Sequence, residues 1–174
     1  MAGDYALRGL AVPESLDRLH ELFERVRTDW PDIDEVDLSM FETAIVEIHG
    51  NVVEHGHPPG RVIYAFELEV HPDRIVGVLA DTGSAVPDLS SIDEGLPDDL
   101  AENGRGLWLA KATLDELDYV RVGDRNTWRL VRNRTGSTTR ASGVSTSPAR
   151  CGTRRAWRRS CRRASRLPCR SRTR

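Results

Sequence analysis

The stretch from Phe41 to Gly56 constrains the fold more than any other part of the chain. Its apolar residues recur with helical period, and a helix would stack Glu47, Asn51 and His55 on one side because they are four residues apart. At about 100° per residue, this polar column lies only about 60–70° from the centre of the apolar stripe. Polar groups at the edge of a core are costly unless they face a ligand or a partner. The pattern therefore indicates a place where a helix could hold a metal ligand and a general base.

The charge of the chain divides sharply near residue 132. Residues 1–132 hold all 27 acidic residues and 12 of the 25 basic ones, a net charge of −15, whereas residues 133–174 hold the other 13 basic residues and no acidic one. An acidic body repels nucleic acid. We therefore expect the body to bind a protein or a small molecule and not to bind DNA directly.

Cysteine positions and apolar runs narrow the class further. All three cysteines lie in residues 133–174, so no disulfide framework is implied for the body. No apolar run approaches the ~18–20 residues that span a bilayer, and the N-terminus lacks the pattern of a signal peptide. These features predict a cytoplasmic domain of residues 1–132 without a membrane span.

The first half of the body predicts one strand and two helices. Residues 5–12 are apolar-rich and predict an edge strand, and Pro13 then opens a helix of regular apolar period. The second helix is the stretch described above, and Asp37 or Ser39 could cap it. It should end near Val53, before a break rich in glycine and proline.

The second half predicts a hairpin, a long loop, a helix and another hairpin. Residues 61–70 and 74–80 read as paired strands, and residues 84–103 form a polar loop. Loops of this length in compact domains are often active-site lids. A helix should then open at Gly104, and two last strands should meet at residues 123–126. This order predicts an α+β two-layer sandwich, with one mixed or antiparallel sheet covered on one face by helices.

Three short motifs carry the chemistry. The first is Glu47-x-x-x-Asn51 on a helix, and the second is Asp81-x-Gly83 at the end of a strand. The third is the glycine-rich entry to the helix after the loop, which comprises Asn103, Gly104, Arg105, Gly106 and Leu107. Each motif alone is more often a solvated helix face, a turn or a plain helix entry. Their order and structural contexts together are far more specific.

This pattern resembles the Bergerat-type ATP-binding domain that histidine kinases, gyrase B, Hsp90-type chaperones and MutL-type repair proteins share. Within that group it looks most like the small bacterial anti-sigma-factor serine/threonine kinases. The resemblance covers roughly residues 5–132 and none of the tail. It implies the Bergerat fold, ATP as the nucleotide and Mg²⁺ as its metal.

The resemblance also implies a role for each motif. Glu47 would be the general base and Asn51 the Mg²⁺ ligand, in agreement with the hard oxygen ligands that Mg²⁺ prefers. Asp81 would accept the amino hydrogen of adenine, Thr127 would support that contact through water, and Gly83 would let the backbone approach the ring.

The glycine-rich motif would hold the phosphates. Gly104 and Gly106 expose backbone N–H groups at a helix N-terminus, where the helix dipole favours an anion. Arg105 could add a charged hydrogen bond, and Leu107 continues the motif into the helix. A zinc site at His49, His55 and His57 is disfavoured, because no cysteine or carboxylate arrangement supports it.

Two departures from the family pattern matter. Ala85 stands where the second motif often has a further glycine, and this leaves affinity and lid flexibility open. The loop lacks the second glycine-rich box of sensor histidine kinases, and only 46 residues precede Glu47, too few for a phosphoacceptor-histidine helix. Both absences favour the anti-sigma class over a histidine kinase.

The resemblance predicts a kinase that phosphorylates an anti-sigma-factor antagonist protein, sequesters a sigma factor and forms a homodimer. The alternative is a non-catalytic ATP-binding module that acts by stoichiometric partner binding. An ATPase part of a larger machine is a third possibility, and the absence of a second predicted domain disfavours it.

The Arg-rich tail, residues 133–174, has no apolar period and predicts disorder. It could be a basic arm for nucleic acid or an anionic surface, or it could fold back on the acidic body. We favour a third interpretation, in which the tail is the translation of GC-rich DNA in a shifted frame or past the natural stop. Deleting residues 134–174 should then leave nucleotide affinity and the thermal midpoint nearly unchanged.

Overall fold

A computed structural model of the chain describes residues 3–86 and 102–135. Five strands and three helices follow one another in this part of the chain. In chain order they are β1 (Gly3–Leu10), α1 (Glu14–Asp29), α2 (Glu35–His55), β2 (Ile63–Val70), β3 (Arg74–Asp81), α3 (Glu102–Ala112), β4 (Glu116–Val122) and β5 (Arg125–Asn133). The tail from residue 136 onward and most of the predicted lid lie outside the described residues.

The five strands form one sheet in the order β1-β2-β3-β5-β4, and every neighbouring pair is antiparallel. The helix α2 packs against α1, α3, β3 and β5, so the helices form a layer on one face of the sheet. The predicted α+β two-layer sandwich is confirmed. Because β5 inserts between β3 and β4, the end of β3 lies in the middle of the sheet beside the start of β5.

The start of α2 differs from the sequence-based expectation. Asp34 caps the helix, since its side-chain oxygen accepts hydrogen bonds from the backbone amides of Val36 and Asp37. The predicted caps, Asp37 and Ser39, both lie inside the helix. The helix also continues to His55, two residues beyond the predicted end at Val53.

The last three elements begin earlier than predicted. The helix α3 begins at Glu102, two residues before Gly104. The strand β5 begins at Arg125, so the second hairpin turns at Gly123 and Asp124 alone. Gly123 has a φ of 64°, a conformation that glycine adopts without steric cost, and this permits the tight turn.

The core lies between the helices and the covered face of the sheet. Alternate residues of β2 and β3 are buried, as a sheet covered on one face requires. The largest fully buried side chains include aromatic residues from four elements, namely Phe23, Phe41, Tyr64, Phe66 and Trp128. The apolar stripe of α2 supplies Ala44, Ile45 and Ile48 to the same core. The position of α2 on the sheet is therefore fixed by apolar packing along most of its length.

A buried charge joins the start of α2 to the end of β5. Asp37 is fully buried, and its Oδ1 atom accepts hydrogen bonds from Nε and Nη2 of Arg132 at 3.0 and 2.9 Å. Its Oδ2 atom accepts from the backbone amide and hydroxyl of Thr135. Arg134 also pairs with Asp32 at 2.9 Å. Residues 134 and 135 therefore contact the body, although the sequence-based boundary at residue 132 places them in the tail.

Within the part of the chain that the structure describes, no helix is long and apolar enough to cross a membrane.

Candidate functional site

A cavity of about 370 Å³ opens where the C-terminal end of α2 meets the end of β3 and the start of β5. Its walls come from four separate segments of the chain. The lining residues are Ile48, Asn51, Val52, His55, Gly56, Asp81, Gly83, Ser84, Ala85, Val86, Leu107, Asn126 and Trp128. The predicted residues Asn51, Asp81, Gly83 and Leu107 are among them.

Asp81 is the most buried charged group of this cavity, with 2 % of its surface exposed. Its Oδ1 atom accepts hydrogen bonds from the Gly83 amide at 2.8 Å and from the Asn126 amide at 2.7 Å. Its Oδ2 atom is buried and has no hydrogen-bond partner. A buried acceptor of this kind is expensive to desolvate, so the carboxylate is suited to a ligand that donates a hydrogen bond.

The surroundings of Asp81 also change its acidity. Burial raises the pKa of the carboxyl above its ordinary value, because a charged carboxylate is less well solvated in the protein than in water. The hydrogen bonds from Asn126 and Gly83 and the charge of Arg121 lower the pKa, and so does the nearby Trp128 indole, although its Nε1 atom makes no hydrogen bond of normal geometry. The ionisation of Asp81 therefore depends on its immediate polar neighbours.

Asn126 lines the cavity and contacts Asp81, although the sequence analysis does not name it as a site residue. Strand register places Asn126 directly opposite Asp81, whereas Thr127 lies opposite Ala80. Since successive side chains of a strand point to opposite faces, Thr127 points to the face of the sheet that is turned away from Asp81. Thr127 is also not among the residues that line the cavity. Knowledge of the register between β3 and β5 would have identified Asn126 as the residue opposite Asp81, but this register cannot be read from the sequence.

The second half of the site joins α2 to α3. Asn51 has a buried amide nitrogen without a hydrogen-bond partner, and the adjacent position on α3 is Gly106. A side chain added at Gly106 would collide with Oε2 of Glu47 and would lie 3.7 Å from Nδ2 of Asn51. A side chain at position 106 would therefore force the Glu47 carboxylate to move from its present position. The structure thus brings Glu47, Asn51 and Gly106 together, as the first and third motifs predict.

The remaining residues of the third motif have different environments. Gly104 lies in the first turn of α3, where backbone amides have no intrahelical acceptor. Leu107 lines the cavity and is partly buried. Arg105 is exposed. Backbone amides in the first turn of a helix are suited to bind an anion.

Two glycines close the floor of the cavity between α2 and β3. A Cβ atom at Gly83 would lie 3.4 Å from the Cα atom of Gly56, so the two backbones approach closely. Gly56 ends α2, and its amide donates to the Val52 carbonyl at 3.0 Å. His55, the third member of the polar column, lines the cavity while half of its side chain is exposed. Ala85, the departure from the family pattern, also lies on the cavity wall.

Residues 10–132 match the family model described as a histidine kinase-like ATPase domain. The match spans most of the chain and contains all of the cavity-lining residues. The chain belongs to the histidine kinase-like ATPase domain family. Its membership confirms the predicted Bergerat-type resemblance and implies that the domain binds ATP.

A solved structure shares the fold. It is the crystal structure of the RsbU and RsbW domains of Rv1364c from Mycobacterium tuberculosis, with a TM-score of 0.52 and 15% sequence identity. The alignment covers 76% of this chain and 33% of that chain, so our chain spans about a third of its length. At this identity the similarity concerns the fold. No protein among the curated sequences matches the chain.

The cavity carries two different polar groups, the carboxylate of Asp81 and the amide of Asn51. At one end, Asp81 offers a single buried acceptor among apolar walls, which suits a flat ring that carries an amino group. At the other end, Asn51 offers an amide beside the carboxylate of Glu47 and the amino end of α3. The partnerless buried atom of Asn51 is the donor Nδ2, and the hard ligand that would hold Mg²⁺ is the amide oxygen Oδ1 of the same side chain.

Proposed function

We propose that this protein is an ATP–Mg²⁺-dependent serine/threonine kinase of the anti-sigma-factor type. It phosphorylates a serine or threonine of an antagonist protein, and it holds a sigma factor inactive. The observation that carries the proposal is that Asn51 lines the same cavity as the partnerless oxygen of Asp81, while Glu47, one helical turn from Asn51, lies against Gly106 of α3. Membership of an ATPase family and a fold shared with a chain that contains an RsbW domain support it.

The residues act as follows in this proposal. Asp81 accepts a hydrogen bond from the amino group of adenine, and the apolar walls hold the ring. The free amides at the start of α3, with Gly104 among them, bind phosphate oxygens, and Arg105 adds a positive charge at the rim. Asn51 is the protein ligand of Mg²⁺, which neutralises phosphate charge when it is bound.

Glu47 accepts the proton of the attacking hydroxyl in the phosphoryl transfer. The hydroxyl oxygen forms a bond to the γ-phosphorus, and the bond from that phosphorus to the bridging oxygen breaks, so ADP leaves. Glu47 is suited to this step because it lies one helical turn from Asn51 and against Gly106. The proton therefore moves to a carboxylate beside the phosphates.

The antagonist and the sigma factor are linked through this reaction. An unphosphorylated antagonist competes with the sigma factor for the kinase, and phosphorylation removes that competitor. We propose that the kinase acts as a homodimer.

The test is phosphoryl transfer from radiolabelled ATP to candidate antagonist proteins. The Glu47→Gln variant should lose about 10²–10⁴-fold in transfer rate while it keeps ATP affinity, since the amide cannot accept the proton. The control is Glu54→Gln, because Glu54 is exposed on the same helix. A Glu47→Gln variant with full transfer activity would contradict the assignment of the base. ATP binding by the wild type without transfer to any candidate would favour the non-catalytic module.

A further inference from the structure

A polar network fills the space between Asp81 and the strand at the sheet edge. Register places Asp81, Asn126 and Arg121 in one row across β3, β5 and β4. Asn126 is 2 % exposed, and its Oδ1 atom accepts hydrogen bonds from the Tyr119 hydroxyl at 2.7 Å and from Arg121 at 2.6 Å. These two donors identify that end of the amide as the oxygen, so the Nδ2 group must face Asp81.

The side chains of Asn126, Arg121 and Tyr119 also form hydrogen bonds with the backbone that follows β3. Asn126 Nδ2 donates to the Ser84 carbonyl at 2.9 Å, and Arg121 donates to the Gly83 carbonyl at 3.0 Å. The Val86 amide donates to the Tyr119 hydroxyl at 3.2 Å. Gly83, Ser84 and Val86 all line the cavity. One network therefore fixes both Asp81 and the cavity wall next to it.

We propose that Asn126 is a positioning residue that sets base specificity. It donates a hydrogen bond to Oδ1 of Asp81 and so leaves only Oδ2 for the ligand. It also holds residues 83–86 in place as a wall of the base pocket. This inference rests on the nucleotide binding proposed above. Arg121 and Tyr119 act through Asn126, since they fix the orientation of its amide.

The consequence for specificity follows from donor and acceptor chemistry. A carboxylate whose free oxygen only accepts hydrogen bonds favours adenine, which has an amino group at the position where guanine has a carbonyl oxygen. A protonated or rotated carboxyl would lose this preference. Burial raises the pKa of Asp81, and the hydrogen bond from Asn126 opposes this shift because it stabilises the ionised carboxylate. Removal of Asn126 should therefore weaken ATP binding more at low pH than at high pH.

The first experiment measures ATP and GTP dissociation constants for the wild type and Asn126→Ala between pH 5.5 and 8.5. We expect the ATP dissociation constant of the variant to rise about tenfold at pH 7.5 and its preference for ATP over GTP to fall. As the pH is lowered, the loss of ATP binding should begin at a higher pH in the variant than in the wild type. A variant that keeps both the wild-type preference and the wild-type pH profile would overturn the proposal, even if its overall affinity fell.

The second experiment needs no nucleotide. Backbone hydrogen exchange at Gly83 and Val86 reports the order of the wall directly, because their amides donate to Asp81 and to Tyr119. We expect about tenfold faster exchange of the Val86 amide in Tyr119→Phe, and of both amides in Asn126→Ala. The matched control is Tyr5→Phe, which removes a hydroxyl that bonds Asp29 on the far side of the body.

The two experiments separate the possible failures. Unchanged exchange in Asn126→Ala would overturn the positioning role whatever the nucleotide data show. A wild type that binds neither nucleotide would refute the proposed function and the base-specificity role together, whereas accelerated exchange would still support the ordering of residues 83–86 by Asn126.

Discussion

The buried polar groups at the two ends of α2 differ in whether they have hydrogen-bond partners. At the N-terminal end, both carboxylate oxygens of Asp37 have partners, namely Arg132 and Thr135. At the C-terminal end, Asn51 has a buried nitrogen without a partner, and Asp81, which lines the same cavity, has a buried oxygen without one. A satisfied buried charge holds the fold, whereas partnerless polar atoms on a cavity wall cost stability unless a ligand engages them. In the proposed function, the helix therefore combines a structural end with an end that binds the nucleotide.

The largest expected effect tests the structural end. Arg132→Met leaves Asp37 buried without its cation, so we expect a loss of about 3 kcal/mol in the free energy of unfolding. Chemical denaturation measures this loss, and ATP affinity measured below the transition should stay near the wild-type value. An ATP affinity that falls as steeply as stability would show that the two ends are not separate.

The matched control for this prediction is Arg129→Met on the same strand. Arg129 lies on the other face of β5 and pairs with the exposed Glu116, so its loss should cost less than about 1 kcal/mol. Two truncations extend the test. The deletion of residues 134–174, which the sequence alone predicts to be neutral, removes the contacts of Arg134 and Thr135 and should therefore lower the thermal midpoint. Ending the chain after Thr135 keeps these contacts and should leave the midpoint unchanged.

The next effect tests the binding end. In Gly106→Ala, the added methyl collides with the Glu47 carboxylate, so we expect phosphoryl transfer to fall at least about tenfold. The free energy of unfolding should change little, because alanine favours a helix by about 0.5–1 kcal/mol and offsets the local strain. Activity and denaturation measurements on the same preparation separate these effects.

Gly50→Ala on α2 is the control for Gly106→Ala. A Cβ atom at Gly50 would meet no other atom within 4 Å, so the same substitution should raise stability and leave transfer unchanged. If both variants lost activity equally, the contact between Gly106 and Glu47 would not explain the effect.

The last expected effect concerns the middle of the helix. His49 is fully buried in the middle of α2, and its Nε2 lies 2.7 Å from the Ser15 hydroxyl. Because that hydroxyl donates to the Val12 carbonyl at 2.6 Å, the ring must donate from Nε2. The Nδ1 atom is buried without a partner, so protonation of the ring would create a second buried donor.

This environment makes stability depend on pH. Burial lowers the pKa of His49 from 6.5 to about 4. A depressed folded-state pKa contributes stability that is complete above pH 6.5 and is lost as the pH falls toward 4. We expect a loss on the order of 2 kcal/mol in the free energy of unfolding between pH 7 and pH 5 from this residue.

The variant His49→Gln should flatten that pH dependence, since its amide can still donate to Ser15 but does not titrate. His20→Gln, at an exposed position on α1, should not alter it. A His49→Gln protein whose stability falls between pH 7 and pH 5 as the wild type's does would assign the pH effect to other groups.

The sequence determined the elements and the three motifs. Helical period and turn residues are local properties, so they predicted the order of strands and helices and the α+β class. The motif spacing likewise predicted that Glu47 and Asn51 would lie one turn apart on a helix. Residue types at fixed spacing were also enough to predict a family that the match to residues 10–132 confirms.

Only the tertiary structure decided which residues meet across distant segments. The pairing of β3 with β5 joins residues more than forty positions apart, and a shift of one residue would exchange Asn126 for Thr127 beside Asp81. No local pattern fixes that register, because it results from packing of the whole sheet against α2. The same reason explains Asp37, which the sequence offers as a helix cap and the fold uses as a buried partner of Arg132.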